Sequence, residues 1–480
     1  MTVSVRPTSR ILPAPKIAAL SIHFLVIGGG IAGLSCAVAL ARVGHTVTVL
    51  ERQMDLHEGS CGSRVAPNLS KILYHWGLEE DVRKIAVKSG GIELGISSTG
   101  ESLGVHHWDD EMLREARGEF LFMNYGDIRQ LLHDAAISLG VKIRLGTEVT
   151  SIDPDKRRAK LANGEVVMGD VIVGADGVNG VTRQLVLEQE AVEEEPPTQR
   201  YNVYTTRIPR NIVEQDPELA PLFDEEFKRL FVSYGSGGCV IAFPVGPDMQ
   251  ELAFEVYTGN DGNAREWGEE ASAKGLAAAC AGLSPRMQKL AKLSPQAPQC
   301  VAVLEYAELE DWVHDSGRLL LVGDAAHPMP AGCIHDDAMA LEDGAVLAKL
   351  FSHIRTEDQI PNLLYAFQDL RQPHVKTVLA QEIRDIDFMS LPDCEMQQGR
   401  DDSLRTKRDA GIDVMAPSST EEEMPQWAEV KFVFCYDAED DADNWWMEWG
   451  LLRERARGTD VALGFVEPVA IRQGVSKTTL

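Results

Sequence analysis

The segment from His23 to Glu51 constrains this chain more than any other. His23 to Ile27 is a short apolar run rich in branched residues, which is the pattern of a buried strand. Gly28, Gly30 and Gly33 follow in G-x-G-x-x-G spacing, then a helical Ala/Leu-rich stretch to Val43, then a second strand from Thr46 to Leu50 that ends at Glu51. Each part has a separate physical task. Gly28 permits the tight turn, Gly30 lets backbone approach a pyrophosphate, and Gly33 lets helix and strand pack closely. The helix N-terminus offers free N–H groups and a positive dipole end to phosphates, and Glu51 accepts hydrogen bonds from a ribose. Strand, glycines, helix, strand and acid in that order predict a dinucleotide site.

A chain of 480 residues is long for one core, so two packed domains and an extension are expected. No apolar run approaches the roughly twenty residues that span a bilayer. The net charge of −28 argues against nucleic acid and anionic membranes as partners. Eight scattered cysteines without C-x-x-C spacing indicate a reducing, cytoplasmic setting and no metal site. Arg6, Arg10 and Lys16 in an acid-free start could mark a transit peptide, but Pro7, Pro13 and Pro15 break an amphipathic helix. A disordered tail over 1–21 is expected.

The remaining pattern predicts an α/β fold. A Rossmann-like domain over 22–200 and 300–390 holds an inserted, mainly antiparallel sheet domain over 201–299. Gly126 to Leu139, Ala338 to His353 and Leu363 to Phe388 read as helices; Val203–Ile208, Leu230–Tyr234, Val240–Phe243 and Leu252–Val256 read as successive strands of a substrate-pocket wall. The extension over 391–480 is polar and irregular to Pro425, then dense in aromatics (Trp427, Phe432, Phe434, Tyr436, Trp445, Trp446, Trp449). Such a segment packs either on the body or on a second subunit in a homodimer.

Two further motifs join the glycine-rich unit: Val173-Gly-Ala-Asp176-Gly177 and Leu321-Val-Gly323-Asp324-Ala-Ala-His327-Pro328. Over roughly 22–390 the chain resembles the single-component FAD-dependent aromatic hydroxylases, the group of para-hydroxybenzoate hydroxylase, and its salicylate-hydroxylase-like branch in particular. The resemblance implies FAD, with Glu51 on the adenosine ribose and Arg52 near the phosphates. Gly62 and Arg64 would lie in the loop beside the flavin, and Asp176 in the motif that serves both FAD and a visiting NADPH or NADH. Gly323 and Asp324 would lie at the ribitol. It further implies that O₂ adds to reduced flavin to give a C4a-hydroperoxide, whose distal oxygen passes to a phenolic substrate, a hydroxybenzoate among the candidates, with or without decarboxylation. An epoxidase or oxidase of a non-phenolic metabolite, and a non-catalytic flavin-binding redox module, are the rival readings.

Where that family has His-Arg before a helix, this chain has Asn124-Tyr125, leaving Arg129 one turn later as the flavin-side arginine. At the helix expected to face flavin N1 stand His335-Asp336-Asp337. Asp336 or Asp337 would either cap the helix's own N–H groups, the expected arrangement, or turn a carboxylate toward N1. For substrate activation, Arg207 on the first strand of the wall would steady a phenolate or lie on an exposed rim. Tyr234 would supply a hydroxyl, since Phe243-Pro244 replaces the family's Tyr-Pro, or simply pack.

Overall fold

The computed structural model describes residues 16–450 apart from 57–60, 191–194, 296 and 417–424, together with residue 452. Most of the tail expected over 1–21 lies outside these residues. The predicted dinucleotide unit forms with the strands read from sequence, His23–Ile27 and Thr46–Leu50, flanking the helix Ile31–Arg42. They belong to a five-stranded sheet of spatial order Leu319–Leu321, Val171–Gly174, His23–Ile27, Thr46–Leu50, Lys142–Arg144, all parallel. Parallel strands need both faces covered, and these read as near-continuous apolar runs for that reason. The helix Asp336–Phe351 crosses the glycine helix so closely that a Cβ on Gly344 would meet Ser35 backbone at 2.8 Å.

A seven-stranded sheet forms the second layer, in the order Gln299–Glu305, Thr198–Pro209, Glu251–Thr258, Gly238–Val245, Arg229–Gly235, Gly91–Ile96, Ser102–His107. Its two outer strands at one edge differ from the sequence reading, which left 91–107 in the dinucleotide domain. Gly91–Ile96 pairs in parallel with Arg229–Gly235, far along the chain, so local pattern carries no trace of the partner. Gln299–Glu305 likewise closes the opposite edge instead of returning to the first domain. A small antiparallel sheet, Val149–Asp153, Arg158–Leu161 and Val166–Met168, forms as read.

The stretch after Ser390, expected to be irregular, contains the helix Glu395–Asp409. Its Arg405 and Arg408 bind Glu101, and Arg400 lies 4.1 Å from the Tyr234 ring centroid. The aromatic segment packs on the body: Tyr436 stacks on His374 at 3.7 Å, Trp446 on His353 at 4.2 Å, and Phe434 meets His335 edge-on at 5.9 Å. Phe432 and Trp449 remain exposed. Among the described residues no helix is long and apolar enough to cross a membrane, and the eight cysteines are free thiols.

Candidate functional site

The glycine loop is built from contacts that only glycine allows. Gly28 has φ +108°, and a Cβ there would lie 2.1 Å from the Ala175 carbonyl at the end of the Val171–Gly174 strand. A Cβ on Gly33 would lie 2.0 Å from the Gly28 carbonyl. Gly30 differs: its backbone is ordinary extended chain (φ −72°, ψ −176°), and a Cβ would meet nothing nearer than the Tyr125 hydroxyl at 3.7 Å. The protein itself does not need glycine at 30. A group approaching that backbone does.

Gly29, which the motif leaves unspecified, has its own reason: a Cβ would lie 2.9 Å from Glu51 Oε2, the oxygen that accepts the Gly29 N–H. Glu51 Oε1 accepts the Gln53 N–H at 2.7 Å, so the carboxylate is fixed before any ribose arrives. Arg129, expected at the flavin, is buried and spends its guanidinium on this loop. It donates to the Gly29 carbonyl at 3.1 and 3.2 Å and to Gln53 Oε1 at 3.2 Å, with Glu51 at 3.9 Å. Arg52 is exposed.

The Asp176 carboxylate accepts from the Thr182 hydroxyl and N–H, stitching the strand end to the helix Val181–Glu190. Burial, outweighing those bonds, raises its pKa. From that helix Arg183, fully buried, donates to the Ala325 carbonyl at 3.0 Å and so ties the second motif to the third. In the third, Gly323 N–H donates to Asp343 at 2.8 Å, and Asp324 Oδ1 accepts the Met329 N–H at 3.3 Å.

Under this turn lies a buried ionic network. Asp343 also accepts from His327 (2.7 Å) and Arg371 (2.8 Å), while Glu342 accepts from Arg371 (2.8 Å) and Asn68 (2.8 Å). Burial alone would raise both acids, but Arg371 and His374 at Glu342, and His327 and Arg371 at Asp343, outweigh it and hold each at about 2. Arg371 has no motif to betray it; only a charged residue inside an otherwise amphipathic helix marks it.

Asp336 and Asp337 occupy the first two positions of their helix, whose cap residue is His335, and no side chain there caps a backbone N–H. The expected cap is therefore corrected: the helix starts one residue too early for either aspartate to fold back. Asp337 instead accepts from the Ser63 hydroxyl. Burial and the neighbouring Asp324 push Asp337 up to about 6, and burial with Asp324, Asp337 and Glu382 raises Asp336 well above the usual range.

The sheet face opposite these acids carries Arg64's partners. Gly62 packs on Ala253 and Phe243, where a Cβ would lie 2.5 and 2.9 Å away. The Arg64 guanidinium donates to the Gly332 carbonyl, lies 3.4 Å from Glu255 Oε2 and covers the Phe243 ring at 5.8 Å. Tyr257 donates to the same carbonyl at 2.6 Å. Arg207 is half-buried and paired with Glu251 at 3.0 Å, so its charge is matched at the rim. Tyr234 is buried, edge-on to Phe388 at 6.2 Å; burial raises its phenol beyond ordinary titration, leaving it a donor.

Cys61, Tyr125, Cys333 and Asp336 stay partly accessible and Asp324 is exposed, yet burial dominates the ionisation of all five. Groups both wet and enclosed line a concavity. Cys61 senses Glu255, Asp337, Arg207 and Asp336, so helix and sheet face each other across it. FAD fits these residues: an open backbone at Gly30, a fixed acid at Glu51, an available carboxylate at Asp324 and a helix N-terminus at Asp336.

Comparison with known proteins agrees. Residues 21–382 match the family described as FAD binding domain. The FAD-dependent monooxygenase OpS4 of Beauveria bassiana is 28% identical over 396 residues, 80% of this chain and 89% of that protein. The 3-amino-4-hydroxybenzoate 2-monooxygenase PtmB3 of Streptomyces platensis is 28% identical over 79% of this chain and 92% of its own length. A salicylate hydroxylase substrate complex superposes with a TM-score of 0.68 at 18% identity, covering 88% of this chain and 97% of that one.

Proposed function

Because the chain belongs to this FAD binding domain family of FAD-dependent monooxygenases, we propose that it uses NAD(P)H and O₂ to hydroxylate a phenolic substrate. The observation that carries the reading is the concavity in which Tyr125, Asp324 and Asp336 on the dinucleotide side meet Cys61, Arg207 and Glu255 on the sheet side. FAD bound there supplies hydride acceptance from the nicotinamide and activation of O₂.

The chain's own residues hold, orient and screen. Gly30 and the N-terminus of Ile31–Arg42 take the pyrophosphate, Glu51 the ribose and Asp324 the ribitol. One glycine-rich unit serves the resident dinucleotide, so the nicotinamide visits. Its 3-amino-4-hydroxybenzoate relative supports an aromatic ring bearing hydroxyl or amine. Arg207 supports a phenolate from the rim.

Asp337, ionised above about pH 6, favours a second reading, a flavoprotein slowed in reduction, since a carboxylate there disfavours added negative charge. Screening phenolic acids with NADPH and NADH separates the two. Substrate-stimulated cofactor oxidation with a product one oxygen heavier is the expected result; oxidation indifferent to every phenol, with no oxygenated product, would refute the proposal.

A further inference from the structure

Glu255 sits at the centre of the seven-stranded sheet, directly across from Thr205 on one side and Ile241 on the other. Its strand alternates cleanly. Leu252, Phe254 and Val256 face one way; Ala253, Glu255 and Tyr257 face β-sheet neighbours Phe243 and Arg64 on the other. An acid on a central strand among apolar neighbours is costly unless its oxygens are satisfied.

They are not. Glu255 is 3% exposed and Thr205 5%, and among the described residues neither Glu255 Oε2 nor Thr205 Oγ1 has a hydrogen-bond partner. Arg64 is the nearest charge, 3.4 Å from Oε2, but it donates its hydrogen bond to the Gly332 carbonyl. Cys61, which lines the concavity, senses Glu255 more strongly than any other charge. Beside that concavity Glu255 Oε2 is charge-matched by Arg64 but accepts no hydrogen bond, and the buried Thr205 hydroxyl across from it makes none among the described residues.

We infer that Glu255 and Thr205 form the polar subsite that accepts a hydrogen bond from a neutral donor on the substrate ring, a hydroxyl or an aryl amine, and that this subsite turns away a ring carboxylate. The inference rests on the monooxygenase reading and narrows it. A carboxylate placed there would face Glu255 across a dry gap, where like charges repel strongly; a hydroxyl or amine would satisfy both oxygens. Burial raises the Glu255 pKa and Arg64 opposes that rise, in keeping with an acid held ready for a donor. Ring carboxylates and the reacting phenolate are therefore turned away from Glu255, toward the Arg207 rim, and the group facing Glu255 is a neutral donor.

The test uses the FAD-loaded full chain and three probes of one shape: 2-naphthol, 2-methoxynaphthalene and 2-naphthoate, each titrated by perturbation of the flavin spectrum. The wild type is expected to bind naphthol at least about tenfold more tightly than its methyl ether, the worth of a hydrogen bond to a charged group, and naphthoate most weakly. Glu255→Gln should narrow the naphthol-to-ether ratio by roughly tenfold and improve naphthoate binding; Thr205→Val should narrow the ratio less. Should Glu255→Gln fail to fold, Thr205→Val and the wild-type ranking decide. An unchanged ratio in the variants, naphthoate as the best wild-type ligand, or no binding of any probe to FAD-loaded protein would overturn the inference. So would a lowered melting temperature of Glu255→Gln with the ratio intact, which marks a purely structural pair with Arg64. A protein that takes up no FAD fails the proposed function instead, and is distinguished before any probe is added.

Discussion

Replacing the three motif glycines one at a time should separate folding from cofactor binding. At Gly28, alanine must adopt φ +108° and also overlap the Ala175 carbonyl at 2.1 Å; at Gly33 it overlaps the Gly28 carbonyl at 2.0 Å. Both clashes are with backbone that cannot swing aside, so each variant should lose several kcal/mol or fail to fold, more than the ~1–2 kcal/mol of left-handed strain alone. Gly30 is the opposite case. Its φ of −72° suits any residue, and the nearest atom to an added Cβ is 3.7 Å away. Gly30→Ala should keep or gain up to ~1 kcal/mol in the apoprotein, because the unfolded chain loses freedom. The methyl then stands where the pyrophosphate must approach, and an overpacked contact costs roughly 1–3 kcal/mol, about five- to 150-fold in FAD affinity. Thermal melting of apoprotein and fluorescence titration with FAD measure the two effects on the same samples. Gly30→Ala that binds FAD within about twofold of wild type, or whose apoprotein melts as low as Gly28→Ala, refutes the assignment of this loop.

Asp337→Asn should raise the flavin reduction potential by some tens of mV (about 30 mV per 1.4 kcal/mol for two electrons). The effect should be present above pH 6 and fade below it, because Asp337, held at about 6, is neutral there already; redox titration at pH 5 and 8 reads both. Arg371→Met, which strands two buried acids, should cost about 3–5 kcal/mol in urea unfolding and move acid unfolding to higher pH. In the wild type the depressed pKa values of Glu342 and Asp343 stabilise the fold above the ordinary carboxylate range, and that support is lost only as pH falls toward 2. Tyr234→Phe should leave the pH profile of product formation in place, since its phenol stays protonated. Arg207→Gln should shift the profile upward by under about one pH unit, the rim charge being already matched and half screened; a larger shift would make Arg207 the dominant activating group.

The dinucleotide unit was legible to the residue because one local pattern encodes all of it: apolar run, glycines, helix, apolar run, acid. The three motifs also pointed to a common site without revealing how they are joined. Arg183 reaching Ala325 and Asp343 reaching Gly323 are contacts between distant segments, with no periodicity to announce them. Asp336 and Asp337 were misread by a single position, since a cap depends on where the chain turns and that is set by the packing of His335 under Phe434. The aromatic tail was legible as something that must bury itself, while its targets, His353 and His374, were not. Glu255 was readable in principle, as the buried acid within the alternation of a central strand, and was passed over because that strand was read only for its apolar face.

The order of strands in the five-stranded sheet has a consequence for how the protein is made. Val171–Gly174 must wait for Leu319–Leu321, about 145 residues further on, before its outer edge is paired. At ~5–20 residues per second of synthesis, that leaves a fully apolar parallel edge open for roughly 7–30 s on the ribosome while five strands of the seven-stranded sheet emerge. An open edge of that kind is a template for other chains. Chains stalled or cut between residues 175 and 318 should therefore aggregate instead of yielding a small FAD-binding fragment, and slowing translation should lower the yield of soluble protein more than lowering temperature helps it. Cofactor capture is in effect a checkpoint on closure of that sheet, because Asp324 follows directly after its last strand.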